Sequence, residues 1–290
     1  MSAVKPTHYG SIRRHKMVTT VIYHILVGLF SLLMLYPLFW MLSSSLKPNT
    51  EIFRTVDNLI PETFTTENYV NGWRGFAGLS FSVYFLNSLQ VALFASLGAV
   101  ISSALVAFGL ARIRFPGRNI WFVAMIITMM LPGQVMMIPR FVLFNQIGWV
   151  GTFLPMTVPY FFGGAFDIFL VMQFIRGLPR DMDEAARIDG CSYYGIFAYI
   201  MVPMIIPALV TVGILTFINS WGDFMSSLLY LNTPSRYTVA YALKLFSDSA
   251  GTDYGAIFAM STLSLVPILV IFFFFQRQLV EGISTQGLKG

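Results

Sequence analysis

The chain has 290 residues, 56% of them hydrophobic and only 11% charged, with 28 Phe, 16 Met and a mean hydropathy of +0.72. Soluble domains carry about 25% charged residues, so the composition excludes an ordinary globular domain and points to a lipid bilayer. The net charge of +5 lies at the ends of apolar runs, which excludes a nucleic-acid partner, and the single cysteine, Cys191, excludes an intrachain disulfide and a cysteine-rich metal site.

A membrane-spanning helix needs roughly 20 mostly apolar residues. Six windows qualify, at about 18–43, 83–110, 119–139, 152–174, 203–222 and 256–276. The expected fold is an all-α integral membrane protein with six transmembrane helices. The first run follows Arg13, Arg14 and Lys16 but is too long for a signal-peptide core, so it reads as an uncleaved span. In the second, Ala95, Ala99, Ser103 and Ala107 recur every four residues. They form either a ridge for close helix approach or an ordinary Ala-rich face. Pro132-Gly133 interrupts the third window, as a pore-side kink or as the end of the span. Asp167 is the one carboxylate well inside a window; it either lines a pathway or pairs across a helix interface. Pro203 and Pro207 read as helix-start chemistry or a mild bend. His24 reads as a hydrogen-bonded helix residue.

Counting Lys and Arg by side fixes an orientation. Lys5, Arg13, Arg14, Lys16, Arg112, Arg114, Arg118, Arg176, Arg180, Arg187, Arg277 and Lys289 lie on one side. Lys47, Arg54, Arg74, Arg140, Arg236 and Lys244 lie on the other. The richer side is cytoplasmic, so both termini face the cytoplasm. Residues 1–17 then form a cytoplasmic N-terminus, and 18–82 the first helix with an outer loop. Residues 83–276 form a five-helix core with a cytoplasmic loop at about 175–202, and 277–290 a cytoplasmic tail. Outer segments 45–80 and 223–255 are long enough for short helices and an exposed lobe.

The cytoplasmic loop carries the densest signal. Asp181 with Glu184 has capping-box spacing, and Asp183 adds charge favourable near a helix N-terminus. Arg187 has the spacing to pair with Asp183 or Glu184. Gly190 stands where a left-handed residue ends a helix. The unit is about eight residues, and Met182, Ala185, Ala186 and Asp189 share a face. It lacks the bulky apolar stripe of a helix lying on a membrane, so it is offered to a soluble partner. No Gly-Lys dipeptide occurs, hence no phosphate-binding P-loop, and no catalytic constellation is visible.

Glu184-Ala185-Ala186, then three residues, Gly190, nine residues and Ile200-Met201-Val202-Pro203 closely resemble the cytoplasmic loop of binding-protein-dependent ABC importer permeases, with Val202 where Leu is more usual. The Asn87-Ser88 pair, the basic run Arg112 to Arg118, Leu131-Pro132-Gly133 and the tail Gly282 to Gly290 extend the resemblance, closest to the MalG-type carbohydrate branch. It covers nearly the whole chain, best from about Asn87 onward. The resemblance implies the type I ABC importer permease fold in the bacterial cytoplasmic (inner) membrane. It implies a second homologous permease, two ATPase subunits that hold ATP and Mg, and a solute-binding protein meeting the outer segment 223–255. Transport is by alternating access, and this chain is no enzyme and binds no cofactor itself. Asp183, Glu184, Ala185, Ala186, Arg187, Asp189 and Gly190 would dock the ATPase, and Gln286, Gly287 and Lys289 of the tail would add contacts. The partner permease usually supplies most sugar contacts, so no sugar-binding residue is assigned; overall similarity alone suggests an acidic oligosaccharide such as alginate. The rival class, a secondary transporter run by an ion gradient, would not need the Glu-Ala-Ala loop.

Overall fold

A computed structural model describes residues 9–76, 78–248 and 251–284. Helix α1 (Tyr9–Ser44) contains the first span and stands exposed along Met17–Ser44 until its last residues. The short helices α2 (Asn49–Ile52) and α3 (Glu67–Arg74) follow in the outer lobe. That lobe closes around Lys47, which is fully buried. Its Nζ donates to the carbonyl oxygens of Thr55 (3.0 Å) and Asn58 (2.6 Å). The Glu51 carboxylate accepts from the Glu62 and Thr63 amides at 2.7 and 3.1 Å. These bonds satisfy polar groups that burial would otherwise penalise.

Helix α4 (Phe81–Arg112) is the spine of the core. Next come α5 (Arg118–Met129), α6 (Met137–Gln146), α7 (Leu154–Thr157) with a 3-10 turn over Val158–Phe162, and α8 (Ala165–Arg176). A short helix, α9 (Asp181–Ile188), precedes α10 (Tyr193–Gly195), a π-turn over Ile196–Met201, and α11 (Val202–Trp221). The outer segment folds as α12 (Phe224–Tyr230), α13 (Val239–Ala242) and a hairpin of β1 (Ser247–Asp248) and β2 (Gly251–Thr252). Helix α14 (Tyr254–Ser284) closes the chain.

Among the described residues, five helical stretches are long and apolar enough to cross a bilayer: Met17–Ser44, Phe81–Arg112, Leu154–Arg176, Tyr193–Trp221 and Tyr254–Gln278. The third expected window, 119–139, is instead two shorter helices, α5 and α6. Pro132 offers no N–H and disfavours helix at Leu131, so the helix stops before it. The stretch Tyr193–Trp221, the fifth expected window, begins ten residues before the expected 203, because α10 and the π-turn run straight into α11. The loop predicted over about 175–202 is correspondingly shorter.

The small-residue ridge packs as a ridge. Ala95, Ala99, Ser103 and Ala107 are all fully buried, and α4 lies chiefly against α11 and α8. Gly98 continues it. A Cβ there would come 2.6 Å from a Phe161 ring carbon, so only glycine admits that ring. Asn87 Nδ2 donates to the Ser235 and Tyr237 carbonyls, and Ser88 Oγ accepts from the Val239 amide, all within 2.8–3.0 Å. This pair therefore ties the second span to the outer segment. At the same end, Asn49 Nδ2 donates to Asp253 (2.9 Å), and Trp40 meets Phe258 edge-on. At the opposite end α9 packs beneath α4 and α8. His24 Nδ1 lies 2.6 Å from the Thr20 carbonyl, the intrahelical bond expected of it. In the outer segment Tyr230 is buried, packing edge-on against Phe144, while Asn232, Thr233, Ser235 and Arg236 stay exposed.

Candidate functional site

Helix α9 begins differently from the sequence expectation. The residue before it, Arg180, already has helical angles (φ −77°, ψ −24°), and no side chain caps the helix. Asp181 is thus the first helical residue, not the cap, and the capping box with Glu184 does not form. A cap needs an extended backbone to fold its side chain over the first turn. The end of α9 is as expected. Gly190 adopts φ +83°; its amide donates to Arg187 O (3.1 Å) and the Cys191 amide to Ala186 O (2.9 Å). These two bonds are the Schellman pattern. No heavy atom lies within 4 Å of where a Gly190 Cβ would stand, so conformation alone demands glycine there.

What anchors α9 is a residue assigned no role by the sequence beyond surface charge. Arg112, the last residue of α4, reaches Asp183, with Nε 3.0 Å from Oδ2 and side chains only 5% and 15% exposed. The contact is ionic, without hydrogen-bond alignment at Nε, and Asp183 Oδ1 is buried without a donor. The same guanidinium donates through Nη2 to the carbonyls of Ile175 (3.1 Å) and Leu178 (2.9 Å). One side chain therefore joins the ends of α4 and α8 to α9. Arg187 pairs with neither Asp183 nor Glu184. Its Cζ sits 4.9 Å over the Tyr193 ring, and Asp183 is held by Arg112 instead.

The predicted site residues consequently divide. Asp183 and Ala186 face inward; Ala186 is 7% exposed and joins the core with Phe108 and Ile196. Glu184, Ala185, Arg187, Asp189 and Gly190 face outward with Met182. They surround Ile188, 87% exposed, and near them stand Tyr194 and Tyr199, 87% and 83% exposed. The sequence reading missed these three, although a large apolar residue beside Gly190 in a charged loop was its own signal. Behind α9 a cleft of about 270 Å³ is lined by Arg112, Arg114, Arg180 and Arg187 together with Asp183 and Glu184.

Asp167 lies in the first turn of α8, half-buried, and makes no ion pair with a described residue. It stands within electrostatic range of Tyr160, as do Asp223 and Arg140. Gln286, Gly287 and Lys289 lie outside the described residues. No group of three or more His, Cys, Asp or Glu suited to a metal occurs among the described residues.

Residues 99–285, which include all of this end of the molecule, match the profile of the family described as binding-protein-dependent transport system inner membrane component. The chain belongs to this family. It is a multi-pass inner-membrane protein working within a binding-protein-dependent transport system. It is 35% identical over 275 residues to the arabinooligosaccharides transport system permease protein AraQ of Bacillus subtilis (strain 168), covering 93% of this chain and 97% of that one. It is 33% identical over 260 residues to the trehalose transport system permease protein SugB of Mycobacterium tuberculosis (strain CDC 1551 / Oshkosh), covering 88% and 93%. A crystal structure of a bacterial ABC transporter involved in the import of the acidic polysaccharide alginate shares the fold. Its TM-score is 0.79 at 20% identity, over 94% of this chain and 99% of that one. In this permease family α9 occupies the stretch that resembles the ATPase-docking loop, and the end of the molecule it marks also bears Arg112, Arg114 and Arg118.

Proposed function

We propose that this chain is one of two permease subunits in an ATP-driven importer of a di- or oligosaccharide, delivered by a solute-binding protein and moved by alternating access. The observation that carries the reading is α9 itself, an outward-facing apolar and acidic surface around Ile188, fixed to two spans by one buried arginine. Relatives that carry arabinooligosaccharides and trehalose support the cargo class. ATP and Mg belong to the separate ATPase subunits. When those subunits close on nucleotide, α9 moves with them, and the Arg112 contact transmits the displacement to α4 and α8. Such a two-state element, biased from two sites, is what coupling requires. The broken third span, α5 with α6, completes six crossings and puts both termini in the cytoplasm.

Reconstitution tests the function. The purified chain alone should hydrolyse no ATP above background. With its neighbouring permease, ATPase and binding protein in liposomes, it should take up labelled arabinotriose, galactotriose or trehalose only when ATP is supplied. Uptake driven by an ion gradient without ATP would overturn the reading.

Orientation is tested separately. In a Cys191→Ser background, Thr233→Cys should react with an impermeant thiol reagent added outside, and Asn119→Cys should not. Both positions are exposed, so the reverse pattern inverts the topology.

A further inference from the structure

The break in the third span sits at membrane depth. Helix α5 starts at Arg118, on the same surface as Arg112 and Arg114, and has 12 residues. That is about 18 Å of rise, against a hydrocarbon core of about 30 Å, and less if the helix tilts. The turn from Met130 to Met136 therefore lies inside the bilayer. Beyond the helix ends, its backbone bonds run from the Val135 amide to Pro132 O and from the Met137 amide to Gln134 O. Leu131, Gly133, Gln134 and Val135 are nevertheless exposed on this chain. Lipid-exposed irregular backbone does not occur at this depth; it is tolerated where it meets protein or lines a watery cavity.

The turn faces a cleft of about 260 Å³ with a mixed polar and apolar lining. Gln134 and Arg140 stand on one wall, Asp223, Ser226 and Tyr230 on the other. The Arg140 guanidinium makes no hydrogen bond or ion pair with any described residue. Asp223 Oδ1 accepts from the Ser226 amide at 2.9 Å, which leaves Oδ2 free toward the cleft. A guanidinium and a carboxylate thus share one cleft without pairing, at the end of the spans where the outer segment begins.

We infer that this cleft is a sugar subsite contributed by this chain, gripping one uncharged ring of the transported glycan. The inference rests on the carbohydrate reading above. Arg140 donates to one ring hydroxyl and Asp223 Oδ2 accepts from another, while Gln134 and Ser226 supply neutral partners. The volume is just below the roughly 300–1,000 Å³ usual for small-molecule sites, which suits a single ring with the rest of the glycan beyond this chain. Charge selects the ring. Arg140 is offset by Asp223, the two charged side chains in the lining, so the cleft carries no net charge and suits a neutral sugar better than a uronate.

The test uses the complete importer, with binding protein and ATPase, in proteoliposomes. Gln134→Cys in the Cys191→Ser background is treated with a cationic, water-soluble methanethiosulfonate. Arabinotriose, galactotriose and trehalose serve as neutral probes and trigalacturonate as the acidic one. Labelling should proceed from water, vary with nucleotide state, and slow in the presence of whichever neutral probe is taken up, but not with trigalacturonate. Arg140→Gln should raise the KM of uptake roughly tenfold, and Arg140→Lys should recover part of the loss. No labelling in any nucleotide state overturns the subsite, as does labelling that a transported sugar leaves unchanged. Protection by trigalacturonate overturns the preference for a neutral ring. Failure of every sugar to enter the liposomes is a failure of the carbohydrate reading, seen in uptake and not in labelling.

Discussion

Arg112→Ala is expected to abolish uptake and to lower the thermal stability of the purified chain, although residue 112 lies outside every expected span. The substitution leaves the Asp183 carboxylate buried without its contacting counter-charge, and Asp183 Oδ1 already lacks a donor. Removing one partner of a buried pair costs about 3–5 kcal/mol. Water at the membrane surface and the 15% exposure of Asp183 place this pair near about 3 kcal/mol. The carbonyls of Ile175 and Leu178 lose their donor as well. Asp183→Ala should match in stability loss, since it strands the guanidinium, although those two carbonyl bonds remain. The pair Arg112→Met with Asp183→Leu removes both charges at once and should restore most of the stability. Measured together, thermal midpoint, ATPase co-purification and sugar uptake give a double-mutant cycle. Additive losses, or wild-type uptake by either single variant, would show that the ion pair does not hold α9.

The sequence exposed the spans because mean hydropathy over 20 residues is a coarse, additive property that tertiary contacts do not reverse. It exposed Gly190 because only glycine enters the left-handed region without strain. The places where the sequence misled share a cause. Arg112 and Asp183 are 71 positions apart, so no local pattern links them, and charge in a sequence reveals nothing of burial. Arg187 has better local spacing to Asp183, yet the longer-range partner wins because it is already fixed at the end of α4. The cap at Asp181 failed on the backbone angle of Arg180, which is set by the path from α8 through Pro179 rather than by α9. Pro132-Gly133 was visible as an interruption, but whether it ended a span or broke one depended on the length of α5 against the bilayer. Ala186 stands on the predicted docking face by helical spacing, but its neighbour Asp183 is pulled toward Arg112, and the helix rolls to bury both.

The surface that remains outward on α9 yields the sharpest expectation. Ile188 is 87% exposed and Glu184 has no bonded partner among the described residues. Neither contributes to the fold, so their replacement should leave the permease inserted, paired and as heat-stable as the parent. Ile188→Asp removes the apolar centre of the face; Glu184→Lys inverts its charge. Glu184→Lys also places a cation near a helix N-terminus, a penalty of only about 0.3–1 kcal/mol. Both should nonetheless lose the ATPase subunits on purification and lose uptake. A large apolar anchor at the middle of an interface commonly carries 2 kcal/mol or more of binding, roughly 30-fold in affinity. Gly190 supplies the contrast, since it acts through the backbone. Gly190→Ala forces an L residue to φ +83° at a cost of about 1–2 kcal/mol and should weaken docking in part. Gly190→Pro should be worse, because proline is fixed near φ −65° and has no amide to donate to Arg187 O. The predicted order of uptake is therefore wild type, then Gly190→Ala, then the other three near background. Permease levels in the membrane should be equal for Ile188→Asp and Glu184→Lys. Full ATPase recovery with Ile188→Asp would remove α9 as the docking surface, whatever the proline variant does.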